Sequence, residues 1–509
     1  MTNFDKKKLL EIMANITPGK GLAEHESDNE NLFLKNFLPV DRYRNTLDID
    51  TFLILGGRGV GKTEFFRLLG SPNGRKALVK NLKIKYLPPL EKTIWIAGYG
   101  RTKTGEKKFP VPKATEDYMK DKDRSDWRIF WIGLVLGVIF QQEKELSNHN
   151  WAQEIPEEIR DCLTNRLSLL SRWFPDARHN FESINYALDK LDEELLADDR
   201  WLFITYDELD RIVPSYLKLR DPIAELLAFW LDRWRRWERI RPKIFLRTDL
   251  FRQKFLGFPD ASKLRGHQIT LEWKTPLLYQ LLVKRLANSG KEMNDYLQIV
   301  PDLIPSTSKI DKILGILPAS DESRFELLME KIVGVFMGEN PRKGYTYNWI
   351  PNHLQDAKRS IAPRSFLKLF SLAAERRLEK FDEKELPENR LLEPSDLQGA
   401  LMDTSQDRIK ELTEEEYPWL EALRKELKDL TLLTEEEKFL NLLKNTDWNQ
   451  EPPSLKPQEI LQYLEQLGIV EIRLDRRINM PDIYRYGFEV KRKGCLLYTS
   501  DAADDVVGV

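Results

Sequence analysis

Thr51 to Leu55 form an apolar or β-branched run, and Gly56-Gly57-Arg58-Gly59-Val60-Gly61-Lys62-Thr63 follows directly. An amphipathic segment carrying Phe65, Phe66, Leu68 and Leu69 comes next. The glycine-rich stretch matches GxxxxGK[ST] at every fixed position, in the strand–loop–helix setting that gives the pattern meaning. This constrains the fold more than any other feature, because a buried strand must deliver the glycines to a helix N-terminus. Glycines let the backbone curl so that its N–H groups point inward at phosphate oxygens. The helix N-terminus adds positive potential at the same place. Lys62 then reaches the β- and γ-phosphates, and the Thr63 hydroxyl is placed to ligate Mg²⁺. Gly56, Gly57, Arg58, Gly59, Val60, Gly61, Lys62, Thr63 and Glu64 are the candidate nucleotide-binding residues. A chance glycine-rich turn is the alternative, and the flanking strand and helix argue against it.

A second stretch supplies the carboxylates. Trp201-Leu202-Phe203-Ile204-Thr205-Tyr206 reads as an apolar strand ending in Asp207-Glu208. Alone, such a strand end is a weak signal. Downstream of a P-loop it gains force, because ligands bind beyond the carboxyl ends of parallel strands. Asp207 is the expected Mg²⁺ partner, and Glu208 is placed to polarise the attacking water. Asp210 reads as a cap of the following turn. Lys243 to Arg247 form a further strand ending in Thr248-Asp249. Thr248 is the candidate at its tip for the γ-phosphate or the lytic water, with Arg247 second. Lys92 to Tyr99 and Gln268 to Trp273 complete the expected strands. Lys263 and Arg265 precede the last of these, where an arginine can serve a neighbouring subunit's nucleotide as a finger. An ordinary surface charge is the other reading there.

At 509 residues the chain is too long for one core, and roughly two to four domains are expected. The formal net charge of −2 announces no nucleic-acid partner in bulk, so only local patches can do so. Met1 to Asn15 carries Asp5, Lys6, Lys7 and Lys8 without a long apolar run, so no secretory leader is expected. The most apolar run, Ile129 to Phe140, is too short to span a bilayer and reads as a buried core helix. Two cysteines, Cys162 and Cys495, and scattered histidines give neither a disulfide framework nor a zinc site, which suits a reducing cytoplasm.

Along the rest of the chain, Phe33, Phe37 and Leu38 are expected to pack a lead-in segment onto the core. Gly100 to Lys122 is lysine-rich and reads as an exposed loop, with nucleic-acid contact as the alternative. Asp126 to Leu146, Ile184 to Leu196 and Ile223 to Ile240 show helical spacing; Trp230, Trp234 and Trp237 are expected to face the core, with stacking on bases as the other reading. Helices resume at Thr275. Ile361 to Arg377 reads as a helix entered through Pro363, with Arg364 near its start as a γ-phosphate sensor. Leu378 to Leu433 is a charged helical connector. Glu437 to Leu443 and Pro457 to Leu467 read as two helices, followed by a strand from Gly468 and a return strand reaching Phe488. Helix, helix and hairpin form a winged-helix pattern. Arg473, Arg476, Arg477, Arg485, Lys491, Arg492 and Lys493, with Tyr484 and Tyr486 interleaved, are its candidate DNA contacts. A protein-interaction module with a solvated basic face is the other reading. Cys495 to Asp504 breaks from everything before it and resembles a translated library adapter, so 495–509 reads as a non-native tail.

This ordered set resembles AAA+ ATPases of the Orc/Cdc6-like initiator type. It is similar in particular to a bacterial family of P-loop ATPases with that layout, whose terminal motif looks like Ile478 to Gly494. The resemblance implies an α/β P-loop NTPase fold with an AAA+-like parallel sheet, then a helical lid and a C-terminal winged helix. The expected divisions are a lead-in at 1–45, an ATPase core at 46–273, a lid at 274–378, a connector at 379–433 and the winged helix at 434–494. It further implies a Mg²⁺-dependent ATPase in which Glu208, Lys62, Thr248 and Arg364 act catalytically and Thr63 and Asp207 hold the metal. The implied partners are ATP, duplex DNA and further copies of the chain, with no membrane. The interval Gly100 to Arg200 exceeds a minimal AAA+ core and leaves the related STAND architecture open. Under that reading ATP drives oligomerisation and the winged helix makes protein contacts. A nucleotide-binding scaffold without hydrolysis is the third alternative, and Glu208 argues against it.

Overall fold

The computed structural model of the chain describes residues 4–17, 29–84, 87–100, 108–142, 146, 150–251, 257–258, 260–305, 310–381, 386, 390–450 and 452–492. Its centre is a sheet of strands β1 (Leu53–Gly56), β2 (Thr93–Tyr99), β3 (Trp201–Tyr206), β4 (Ile240–Arg247) and β5 (Gln268–Thr270). The strands run in the order β2-β3-β4-β1-β5, and every pairing is parallel. Central strands of such a sheet are covered on both faces and read as continuous apolar runs. All of β1 and β4 is buried accordingly, whereas edge strand β2 alternates, with Thr93, Trp95 and Ala97 half-buried. This is the AAA+-like parallel α/β P-loop arrangement expected from the sequence.

The helix Asp126–Phe140 is apolar all round because it lies inside the core. It approaches its neighbours closely: a Cβ on Gly133 would sit 2.3 Å from the Trp173 ring. Trp230 and Trp237 are buried in the same core and Trp234 is partly so, as the helical spacing indicates. Phe33, Phe37 and Leu38 are buried as well.

Several boundaries differ from expectation. The segment expected to be a loop from Gly100 to Lys122 contains the helix Pro112–Met119, which buries Thr115 and Met119, with Phe109 buried before it. Its lysines hid the few apolar residues that dock it; residues 101–107 lie outside the described part. Strand β4 starts at Ile240, three residues before Lys243. Pro242 obscured this start, yet Arg239 to Ile240 are held in place by the Asp192 carboxylate, which accepts their N–H groups at 2.8 and 2.9 Å. The helix before β4 accordingly ends at Arg236, and the helix from Asp126 ends at Phe140.

The chain divides into two compact units. One holds 23–272 with 305–317 and contains the sheet; the other holds 1–22, 273–304 and 318–509. In the second, the helices Pro363–Glu379 and Pro394–Glu411 pack together. Arg376 binds Asp403 at 2.6 Å and Arg377 binds Asp396 at 2.8 Å between them. The helix Lys6–Ala14 packs on the former, so the first residues and the lead-in from 29 belong to different units. Further on come the helix Leu420–Leu427, a strand Thr434–Glu435 and the helices Glu436–Asn445 and Pro457–Gln466. An antiparallel hairpin, Glu471–Ile472 with Arg477–Asn479, then pairs with Thr434–Glu435 in a three-stranded sheet. The return strand does not reach Phe488. Pro481 ends it, and the short helix Asp482–Arg485 follows. Among the described residues no helix is long and apolar enough to cross a membrane. The tail from Cys495 lies outside the described residues.

Candidate nucleotide site

Strand β1 delivers Gly56 to the carboxyl edge of the sheet, where the backbone must turn tightly. A Cβ on Gly56 would meet Val60 Cγ2 at 2.5 Å. Gly59 and Gly61 have φ of 73° and 93°, a region that side-chain-bearing residues avoid. Gly61 is the N-cap of the helix Lys62–Gly70, so the loop ends on unsatisfied helix N–H groups. Phe65 and Phe66 on that helix are buried, and Tyr43 from the lead-in stacks on Phe65 at 4.4 Å. Val60 anchors the loop from inside; it is buried at 4 % exposure.

The Lys62 ammonium donates to the carbonyls of Gly56 and Gly57 at 3.1 and 2.8 Å, folding back over its own loop. Burial lowers its pKa, while Asp207 opposes that and Arg247 reinforces it. Lys62, Asp207 and the tip of β4 therefore share one electrostatic neighbourhood.

Asp207 follows β3 and is 3 % exposed. Its backbone N–H donates to Tyr99 O at 3.0 Å, which ties the end of β3 to the end of β2. The Thr63 hydroxyl lies close enough to the carboxylate to pull its pKa down, and Oδ2 is buried with no hydrogen-bond partner. Burial pushes the carboxyl up to about 7, with the Thr63 hydroxyl, the Glu208 N–H and the Lys62 ammonium pulling it down. A buried carboxylate oxygen left unpaired beside a hydroxyl suits a hard cation. Mg²⁺ typically takes one or two protein oxygens and fills its octahedron with phosphate and water. Thr63 and Asp207 fit that pattern, and the described residues contain no cluster of three or more ligating side chains that would hold a metal alone.

Glu208 adopts a left-handed backbone at φ 53° and lies 3.7 Å from Arg211. Such strain in a non-glycine residue marks a position held by its surroundings. Thr248 is exposed one residue beyond β4, and its N–H donates to Gly56 O at 3.3 Å, so it stands beside the first glycine of the loop. Arg247, the second candidate at that tip, is committed elsewhere. It is buried and bound to Asp249 at 2.9 Å and Asp210 at 3.4 Å, with Tyr216 donating to Asp249 at 2.8 Å. Asp210 therefore braces the end of β4. Nothing in the sequence near Asp210 announced this, although the i, i+2 spacing of Arg247 and Asp249 places both on one side of the extended chain.

The other candidates belong to other elements of the chain. Lys263 pairs with Asp260 at 2.9 Å in the turn before β5, and Arg265 shares that turn. Arg364 belongs to the second unit, half-exposed and 3.8 Å from Glu411. On the hairpin, Arg473, Arg476 and Arg477 are exposed, with Arg477 bound to Asp475 at 2.6 Å and Arg476 at 3.5 Å from Glu436. Lys491 holds Asp429 at 2.7 Å, and Arg492 lies 3.8 Å from Asp482. Arg485 is not on this surface. It is 4 % exposed and bound to Asp482 at 2.7 Å, and Tyr484 is buried too. Both face inward on the short helix that replaced the expected strand. Lys493 lies outside the described residues.

No protein-family model matches the chain, and no curated protein matches it. Among solved structures, it is similar to the Aeropyrum pernix ORC2 protein in ADPNP–ADP complexes, at 13% identity and a TM-score of 0.37, with 92% of each chain covered. It is also similar to the Aeropyrum pernix ORC1 protein in complex with DNA, at 14% identity and a TM-score of 0.36, over 91% of this chain and 95% of that one. Cdc6p from Pyrobaculum aerophilum gives 15% identity and a TM-score of 0.27, with 94% of each chain covered. At such scores a likeness assigns neither family nor activity.

Proposed function

We propose that this chain is an ATP-binding and ATP-hydrolysing switch whose nucleotide state controls DNA binding through a C-terminal winged helix. The observation that carries the ATPase part is Asp207, buried with Oδ2 unpaired, beside the Thr63 hydroxyl and the P-loop lysine. In this reading Lys62 leaves the Gly56 and Gly57 carbonyls for the phosphates, and the loop N–H groups cradle them. Thr63 and Asp207 hold Mg²⁺, which when bound neutralises phosphate charge. Glu208 orients and polarises the water, and Thr248 steadies it or the γ-phosphate from the adjacent strand tip. Arg364 serves as the lid residue that senses the γ-phosphate.

Turnover of ATP by residues 1–494, with and without duplex DNA, tests this reading alongside Lys62→Ala and Glu208→Gln. Both variants are expected to lose turnover, with ATP binding weakened mainly by Lys62→Ala. A wild-type chain that binds no ATP sinks the proposal. Turnover that ignores DNA turns the reading towards a STAND-type signalling switch, in which ATP drives assembly of several copies. One observation favours that second reading: on the hairpin module Arg476, Arg477, Lys491 and Arg492 already have carboxylate neighbours. Leu474 at the hairpin tip is also fully exposed, which suits a protein contact.

A further inference from the structure

We propose that the loop from Gly334 to Tyr345 binds single-stranded nucleic acid, with bases on its aromatic rings and phosphates on its cations. The loop joins the helix Glu322–Ile332 to the helix Thr346–Leu354 in the unit without the large sheet. Its backbone is tied from base to tip. The Thr346 N–H donates to Val335 O and the Met337 N–H to Gly344 O, each at 2.9 Å, and Phe336 pairs with Tyr345 as an antiparallel bridge. At the tip the Asn340 side chain accepts the Arg342 N–H at 3.1 Å, capping the turn Pro341–Lys343. Gly344 leaves that turn at φ 88°, a region that favours glycine. A loop held in this way loses little entropy on meeting a ligand.

Charge points to a polyanion. Arg342 and Lys343 are exposed, and neither side chain has a carboxylate or hydrogen-bond partner among the described residues. They differ in this from Arg476, Arg477, Lys491 and Arg492, which have carboxylate neighbours. The Lys343 stem lies across the loop: a Cβ on Gly338 would meet its Cγ at 2.8 Å. Arg390 lies at the base of the loop, where a Cβ on Gly334 would sit 3.0 Å from its guanidinium. Against these three cations the loop carries one carboxylate, the exposed Glu339.

The rings point to a single strand. Tyr345 is 55 % exposed and Val335 39 %, two large apolar side chains held out in solvent. Phe336 is half-buried, 4.9 Å from the Tyr345 ring. Trp349, also half-buried, follows one helical turn after Tyr345, and its backbone N–H donates to Tyr345 O at 2.8 Å. A Cβ on Gly344 would lie 4.0 Å from the Trp349 ring, so this ring adjoins the loop. Base faces are hidden in a duplex and open in a single strand, where any base can stack on an aromatic ring. A single strand uses rings and cations together, whereas a duplex would use the cations alone.

A fluorescein-labelled oligo(dT) of about twelve nucleotides, within the span of one single-strand site, is the probe. Anisotropy follows its titration, without ATP, with the full chain carrying Arg473→Ala and Arg476→Ala, so that the winged module's hairpin contributes little. Saturable, salt-dependent binding is expected. Arg342→Gln and Lys343→Gln should each reduce the slope of log affinity against log salt by about 0.7. Glu339→Gln should tighten binding. Tyr345→Ala should weaken it by about fivefold or more, the scale of one base–ring stack, while Tyr345→Phe keeps it. These side chains are exposed, so the variants should keep the parent's melting temperature. No saturable binding, or slopes unchanged in both cation variants, overturns the proposal. So does a Tyr345→Ala chain that binds as tightly as its parent, or equal affinity for a duplex of the same length. Self-association that Tyr345→Ala abolishes, without oligonucleotide binding, would assign the patch to a protein contact instead. ATP turnover and duplex binding by the winged module are measured separately, so failure of that reading and failure of this one are distinguishable.

Discussion

Asp207 concentrates the chemistry of the site in one residue. Its carboxyl is pushed up to about 7 from an ordinary 3.8, chiefly by burial. The folded chain thus keeps a proton that the unfolded chain has lost between those values, and stability falls as pH rises through that window. Asp207→Asn removes this dependence. Without nucleotide, the variant should melt above wild type at about pH 8, by an amount on the order of a few kcal/mol, and converge with it below about pH 4. Superimposed melting curves at both ends would refute the assignment. The same proton competes with Mg²⁺, so the Mg²⁺-dependent part of ATP affinity should fall between about pH 8 and about pH 6 in wild type and be absent from the variant. The pairing of Thr63 with Asp207 was foreseeable from two motifs. The unpaired oxygen was not, because burial of one atom depends on every segment packed above it.

Strand β4 shows what an element hides. Lys243 is fully buried in it, with its ammonium on the carbonyls of Asp48 and Thr51. Burial pushes its pKa down to about 7 from 10.5. Here the unfolded chain holds the extra proton, so this lysine makes stability rise with pH between about 7 and 10.5. Lys243→Met should abolish that rise in denaturant titrations while costing about 1–3 kcal/mol near pH 9 for the two carbonyls left without a donor. A retained slope would place the titration elsewhere. The hairpin makes the opposite point. Its basic pattern was plain in the sequence, but partner carboxylates and the inward turn of Arg485 were not. If DNA contacts it, Arg473→Ala and Arg476→Ala should each reduce the slope of log affinity against log salt by about one. Unchanged slopes would remove the hairpin from the DNA interface.

For the whole molecule, the division into two units is not a simple cut along the chain. Residues 305–317 are assigned to the sheet-bearing unit although the chain on either side belongs to the other. Leu314 there is fully buried, and Asp311 caps the turn through the N–H groups of Ile313 and Leu314 while holding Lys80 at 2.9 Å. Leu314→Asp should therefore destabilise the sheet-bearing unit by about 3 kcal/mol or more, since a carboxylate would enter an apolar site. A shift in the urea midpoint of the sheet-bearing unit's own tryptophans would record it. No shift would show that this segment contributes nothing to the unit. Sequence order suggested consecutive domains, because spacing along a chain carries no record of a segment that returns.

By itself the sequence determined the P-loop, the carboxylate pair after β3, the identity of all five strands and the burial of the tryptophan-bearing helix. Short-range periodicity or a local motif suffices to read most of these, and the carboxylate pair needed only the P-loop upstream as its context. Only the tertiary structure decided that Arg247 braces a strand tip, that Arg485 turns inward and that Lys243 is buried. These depend on pairings across tens to hundreds of residues, where a charge's meaning is set by what packs against it.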